Sequence, residues 1–176
     1  MCWIGFALGA SNAGPVTFPG EIKEVLAPNS EMRVFYVDPG ENQDGIHEYS
    51  LRLRYPGGRV DNLDTFTRSA EVSWSPSGER LFVNDFVGSN VAECLIITPT
   101  SQGTKIRSAT RILSRAHIPE VSTHLKGDHV YITCSNWLSP TQIHIEMQGD
   151  IFPEGFEHHF TYDLRSGKLG ITSPNN

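Results

Sequence analysis

The chain has 176 residues, of which 38% are apolar and 19% are charged, and its formal net charge is −6. This length and balance fit a single domain with a sizeable core. Lys and Arg are scattered along the chain, which argues against a nucleic-acid-binding protein, because such proteins normally carry a basic patch. The 16 glycines and 11 prolines predict many turns and short strands rather than long helices.

The first segment, residues 1–13, contains no charged side chain. Its apolar run ends in Ser11, Asn12 and Ala13, so it resembles a short secretory signal peptide, although a basic residue at its start is missing. The alternative is a buried N-terminal strand. The run is too short to span a bilayer, and no membrane span is predicted. Cleavage would leave residues 14–176 as one periplasmic or secreted domain, with the cytoplasm as the alternative location.

The remaining chain reads as all-β and mostly antiparallel. Its stretches of β-branched and aromatic residues are separated by Gly, Pro, Asn, Asp and Ser clusters, the pattern of short strands. These predicted strands cover residues 33–37, 48–54, 71–74, 80–83, 92–97, 105–113, 129–133, 142–147 and 159–164. The best helical stretch, residues 21–26, is short and runs into Ala27 and Pro28.

A repeat organises these strands. The turn at residues 75–79, which is followed by an apolar strand, has counterparts at residues 27–31 and 126–128. The spacing is about 48 residues, a period typical of repeat architectures. Three units of about four short strands are therefore predicted, at approximately 21–66, 67–115 and 116–172.

The best-preserved copy, VSWSPSGERLFV at residues 72–83, resembles the WD-like repeat of Tol-type and peptidase-associated β-propellers. YDLRSGKL, at residues 162–169, resembles the outer hairpin of such a blade. The resemblance implies propeller-type blades, but propellers close with about four to eight of them. Three units would need a homo-oligomer to close, or would form part of a longer propeller. A single β-barrel or β-sandwich is the alternative fold.

Three cysteines leave two interpretations open. Removal of the leader would also remove Cys2, and an exported protein could then pair Cys94 with Cys134. Alternatively, both are unrelated buried thiols at the ends of apolar strands. The sequence favours the second interpretation.

Candidate binding residues follow from the blade resemblance, which places ligands at the loops after the second strand of each unit. Those loops cover residues 38–47, 85–90 and 135–156. The candidates in them are Asp38, Asn42, Asp44, Asp85, Asn90, Asn136, Trp137 and His144. The acidic loop lacks the residue order of an EF-hand and is interpreted as a solvated turn. The favoured function is a non-catalytic module without a cofactor that recognises a protein or glycan.

The alternative function is a metal-dependent hydrolase or lyase that uses His144, Glu146 and His158. No H-E-x-x-H, C-x-x-C or G-x-S-x-G motif supports it. The adjacent His158 and His159 are expected on opposite faces of a strand, so that both cannot bind one ion without a bend. The sequence therefore favours a protein that is not an enzyme.

Overall fold

The computed structural model describes residues 14–151 and 154–172, and this part contains two short helices and thirteen strands. The helices are α1 (Ala109–Arg115) and α2 (Pro119–His124). The strands are β1 (Val16–Phe18), β2 (Glu24–Leu26), β3 (Arg33–Val37), β4 (Tyr49–Arg54), β5 (Val60–Phe66), β6 (Ser69–Trp74), β7 (Leu81–Phe86), β8 (Val91–Thr100), β9 (Gly103–Ser108), β10 (Val130–Ser139), β11 (Gln142–Ile151), β12 (Glu154–Asp163) and β13 (Leu169–Thr172). The all-β, mainly antiparallel prediction is confirmed. The predicted leader, residues 1–13, lies outside the described residues.

Consecutive strands form three antiparallel meanders. The first meander comprises β2 to β5, the second β6 to β9, and the third β10 to β13. β1 pairs with the free edge of β6. A short parallel pairing of β8 with β10 joins the second and third meanders into one nine-stranded mixed sheet, whereas the first meander is a separate four-stranded sheet.

The propeller resemblance is wrong. Propeller blades are separate sheets arranged around a channel, whereas here two meanders share one sheet, and the described residues show no closed or propeller-like arrangement. The Ser-Pro-Ser-Gly turn is an ordinary hairpin: Gly78 has a φ of 72° and donates to the Ser75 carbonyl at 2.8 Å. Such a turn serves any antiparallel meander, so the motif does not specify a propeller. The alternative β-sandwich fits the face-to-face sheets.

The central strand β7 packs on both of its faces. Leu81 and Val83 belong to the core shared with the first meander, while Phe82 belongs to the core shared with the third. All three side chains are fully buried. Because successive side chains of a strand point to opposite faces, β7 and its neighbours form a middle layer between the other two meanders.

A disulfide fastens the middle layer to the third meander. Cys94 of β8 and Cys134 of β10 are bonded across a sequence separation of 40 residues. The favoured interpretation of two unrelated thiols is therefore wrong. Beside the disulfide, the Asn84 side chain of β7 donates to the Cys134 carbonyl at 3.0 Å and accepts from the Cys134 N–H at 2.8 Å.

Two local predictions fail for identifiable reasons. The predicted strand at residues 105–113 ends at Ser108, whose side chain accepts a hydrogen bond from the Arg111 N–H and caps α1. Ala109 and Leu113 are both buried on one face of that helix. The helical stretch at residues 21–26 contains β2 instead, because Glu24–Leu26 pairs with β3.

The long loop predicted at residues 135–156 is replaced by strands, and the strand predicted within it at residues 142–147 is confirmed as part of a hairpin. β10 continues to Ser139, β11 covers Gln142–Ile151, and β12 begins at Glu154.

Neither helix in the described part of the chain is long and apolar enough to cross a membrane.

Candidate metal centre

The third meander has one apolar face and one polar face. The apolar side chains of β10, β11 and β12 enter the core, among them Ile132, Ile145 and Phe160. The alternate positions are polar and point the other way, since side chains alternate along a strand. We call this second surface the outer face. It carries Thr133, Ser135, His144, Glu146, Gln148, Glu157, His159 and Thr161.

Three ligand-type side chains meet on the outer face. Glu146 of β11 lies directly opposite His159 of β12, and His144 lies two residues before Glu146 on the same strand. One donor atom from each side chain lies within 4.8 Å of the other two. His144 Nδ1 is 3.4 Å from Glu146 Oε1. We call these three residues the histidine–glutamate cluster.

Neighbouring polar groups orient both imidazole rings. His144 Nδ1 is 2.8 Å from Ser135 Oγ, and His159 Nε2 is 3.0 Å from Glu157 Oε1. The two rings stack with their centroids 5.3 Å apart and their planes 11° from parallel. A hydrogen bond at one ring nitrogen, such as the Glu157 contact at His159 Nε2, fixes the orientation of a histidine that binds a metal through its other nitrogen. Ser135 instead contacts the His144 nitrogen that faces Glu146, so a metal ion at that nitrogen would replace this hydrogen bond.

The protonation state of His144 also suits metal binding. Burial lowers the pKa of this imidazole below its ordinary value, and the nearby His159 acts in the same direction, while the Glu146 carboxylate opposes them. The imidazole is therefore neutral at pH 7. A neutral ring offers the lone pair that a metal ion requires.

His158, the histidine that the sequence grouped with His144 and Glu146, lies on the opposite face from them. It pairs with Met147 of β11, and its Nε2 is 2.8 Å from Nδ1 of His124 in α2. The expected alternation of His158 and His159 explains this position. The sequence alone did not show which histidine, His158 or His159, lies on the same face of the sheet as Glu146.

Two shallow clefts flank the histidine–glutamate cluster along the strands of the outer face. One has a volume of about 500 Å³ and is lined by Tyr131, Gln148, Gly149, Asp150, Gly155, Phe156 and Glu157. The other has a volume of about 240 Å³ and is lined by Gln142, Thr161, Asp163, Ser166, Lys168 and Gly170. The cluster thus lies between two surfaces whose side chains are mainly hydrogen-bonding.

The predicted acidic loop between β3 and β4 forms turns bonded by its own side chains. Asp38 Oδ1 accepts from the Gly40 N–H at 2.8 Å. Asn42 Oδ1 accepts from the Asp44 and Ile46 N–H groups at 2.9 and 3.0 Å. The side chains of Asp38 and Asn42 therefore support the loop backbone. This loop, which also contains Asp44, connects strands of a different sheet from that of the histidine–glutamate cluster.

The other predicted binding residues are spread over several elements. Trp137 is only 5% exposed and belongs to the core, with Nε1 donating to the Ser73 carbonyl. Asn136 of β10 is exposed and lies directly opposite His144 of β11, so the structure brings these two predicted residues together. Asn90, between β7 and β8, donates to the Asp128 carbonyl at 3.4 Å. Of the eight predicted binding residues, His144 is the one in the histidine–glutamate cluster.

Asp85, one of the predicted binding residues, belongs to a second titratable group whose other members, Asp64 and Glu93, the sequence did not single out. It lies in β7 directly opposite Glu93 of β8, and burial together with the charges of Asp64 and Glu93 raises its pKa to about 6. Within the described chain, Asp85 Oδ1 and Asp64 Oδ2 are buried without a hydrogen-bond partner. We call Asp64, Asp85 and Glu93 the carboxyl cluster.

Comparison with known protein families, curated proteins and solved structures finds no match to this chain. The resemblance to WD-like repeats therefore has no support from either topology or similarity. The geometry of the outer face is the basis for a functional assignment.

Proposed function

We propose that this protein is a binding module that holds a divalent transition metal ion on its outer face, through His144, Glu146 and His159. The observation that carries the proposal is the convergence of their donor atoms within 4.8 Å. Both strands that supply them are ten residues long and are paired along their length. The donors are thus positioned by regular sheet structure rather than by a loop.

The donor set suits zinc. Two imidazole nitrogens and one carboxylate oxygen are ligands that Zn²⁺ accepts at about 2.0–2.2 Å, in a tetrahedral arrangement. Donor atoms around such an ion are roughly 3.3 Å apart, close to the 3.4 Å between His144 Nδ1 and Glu146 Oε1. Glu157 then serves as the carboxylate that orients His159.

Three protein ligands leave the fourth position of a tetrahedral ion open. A hydroxyl or carboxylate of a protein or carbohydrate ligand would complete the coordination. The remainder of that ligand would lie in the two polar clefts, where the side chains of Gln148 and Gln142 offer hydrogen bonds.

The Cys94–Cys134 disulfide supports a periplasmic or secreted location, because such bonds persist in oxidising compartments.

The direct test is zinc titration of the metal-free protein by isothermal calorimetry, with elemental analysis after dialysis. We expect one Zn²⁺ per chain. His159→Gln should weaken binding by roughly 100-fold, because it removes a ligand, and Glu157→Gln by roughly tenfold, because it removes an orienting partner.

His158→Gln is the matched control, since it changes the adjacent histidine on the opposite face. It should leave zinc affinity within about twofold of the unmodified protein, because His158 is not a ligand in the proposed site. Absence of stoichiometric zinc would overturn the proposal. So would a loss in His158→Gln equal to that in His159→Gln, which would place the metal at His124 and His158 instead.

A further inference from the structure

A further cleft lies on another side of the third meander. Its volume is about 920 Å³, and it is formed by β9, α1, and the ends of β12 and β13 with the turn between them. This volume falls within the range of small-molecule sites, about 300–1,000 Å³. The cleft shares no lining residue with the histidine–glutamate cluster.

Four arginines line this cleft: Arg107, Arg111, Arg115 and Arg165. No Asp or Glu is among the described residues that line it, although the whole chain has a net charge of −6. Arg107 donates to the Tyr162 hydroxyl at 3.4 Å. A cleft that gathers cations in an acidic protein attracts an anion.

Two of these positively charged side chains lie in helix α1, where their mutual repulsion destabilises the helix. Arg111 and Arg115 are four residues apart, so they lie on the same face of the helix, where like charges destabilise it slightly. Among the described residues, neither makes an ion pair with a carboxylate. Their guanidinium groups are exposed, so a bound anion would both receive hydrogen bonds and relieve the repulsion.

The same cleft has an apolar part. Ile112, Ile118 and Leu169 line it and pack against the core. Ile106 and Ile171, which also line it, are 44% and 69% exposed, respectively. Large apolar side chains that remain exposed within one cleft often mark an interaction site. Here they adjoin the arginines rather than forming a separate patch.

We propose that this cleft binds an amphiphilic anion, a small molecule with a carboxylate or phosphate head and an aliphatic body. The head would be held by the arginines of α1, and the body would cover Ile106 and Ile171. Arginine suits this role because its planar fork of donors matches carboxylate and phosphate oxygens. A hydrophilic anion would leave the isoleucines exposed, and a neutral lipid would leave the arginines without a counter-charge.

Decanoate, used as a monomer below its micelle concentration, is a suitable probe in isothermal calorimetry. We expect saturable binding at one site. The double variant Arg111→Gln/Arg115→Gln should weaken it by roughly tenfold or more, since hydrogen bonds to charged groups are lost. Ile171→Ser should weaken the binding of decanoate more than the binding of hexanoate. Decanol, decyltrimethylammonium and inorganic phosphate should each bind at least roughly tenfold more weakly than decanoate.

The matched control is Arg68→Gln/Lys126→Gln, which removes the same charge at exposed positions outside the cleft. It should retain decanoate affinity. Equal binding of decanol and decanoate, or equal losses in the two double variants, would overturn the proposal. Binding to vesicles of anionic lipid without binding of monomeric decanoate would also overturn it, in favour of a membrane-surface contact. The zinc site plays no part, so His159→Gln should bind decanoate normally.

Discussion

The histidine–glutamate cluster and the carboxyl cluster bring together similar residue types with opposite electrostatic consequences. In the first, one carboxylate adjoins two imidazoles, and its donor atoms converge on the outer face. In the second, three carboxyl groups adjoin one another, and two of their oxygens are buried without a partner. Only the first offers imidazole nitrogens beside its carboxylate, a donor set that suits transition metals such as zinc.

The difference shows that a raised or lowered pKa alone does not identify a site. The pKa of Asp85 is raised to about 6 because burial and like charge both disfavour its carboxylate. The donor atoms of the carboxyl cluster are not among those that converge within metal-binding distance. Its measurable consequence is therefore expected in folding stability, whereas that of the histidine–glutamate cluster is expected in binding.

Breaking the disulfide should give the largest effect, because it fastens β8, which carries Glu93, to β10, which is the neighbour of β11 in the third meander. Cys94→Ala/Cys134→Ala releases a closed loop set by a sequence separation of 40 residues. The chain-entropy relation then predicts a loss of about 4 kcal/mol in the free energy of unfolding. Urea unfolding followed by far-UV circular dichroism measures it. A loss below about 1 kcal/mol would show that the remaining contacts, including Asn84 with Cys134, suffice.

Asp85→Asn should stabilise the protein by about 1–2 kcal/mol at pH 7, after allowance for solvent screening. The folded pKa of Asp85, about 6, lies above the ordinary value of 3.8. The native state therefore binds more protons between these values, and this group makes stability fall as pH rises from about 4 to 6.

Urea unfolding of Asp85→Asn across pH 4–8 should show a smaller fall in stability than that of the unmodified protein. Asp44→Asn, in the exposed loop between β3 and β4, is the control and should leave the pH dependence unchanged. Identical pH profiles for Asp85→Asn and the unmodified protein would contradict the electrostatic role of the carboxyl cluster.

His144→Gln should change the pH profile in the other direction and by less. The folded pKa of His144 is lowered, so the unfolded state binds more protons just below the ordinary value of about 6.5. Stability from this group therefore rises as pH increases toward that value. Removal of the imidazole should flatten this rise, as measured by unfolding at several pH values in the absence of metal. The control His129→Gln, at an exposed position, should leave this rise in stability unchanged.

The sequence predicted the elements governed by local pattern and missed those governed by distant contacts. The predicted strand at residues 142–147 lies within β11, because the alternation that marks a strand has a period of two and is local. The choice of His159 over His158 depended on the register of β11 against β12. The disulfide depended on how β8 meets β10, and the carboxyl cluster depended on how Asp64 of β5, in the other sheet, approaches Asp85 of β7. No local pattern encodes either contact. The WD-like segment does form the predicted tight turn. It did not predict the fold correctly, because the same turn occurs in many kinds of antiparallel sheet.

The parallel contact between β8 and β10 makes β8 a branch point in the sheet. One edge of β8 bonds to β7, while its other edge is shared between β10 at Val91 and Ala92 and β9 further along. The third meander as a whole cannot detach from the middle layer without breaking the hydrogen bonds between β8 and β10 and the disulfide. In hydrogen exchange, the amides of β8 should therefore be among the last to open, and they should report global unfolding of the whole domain.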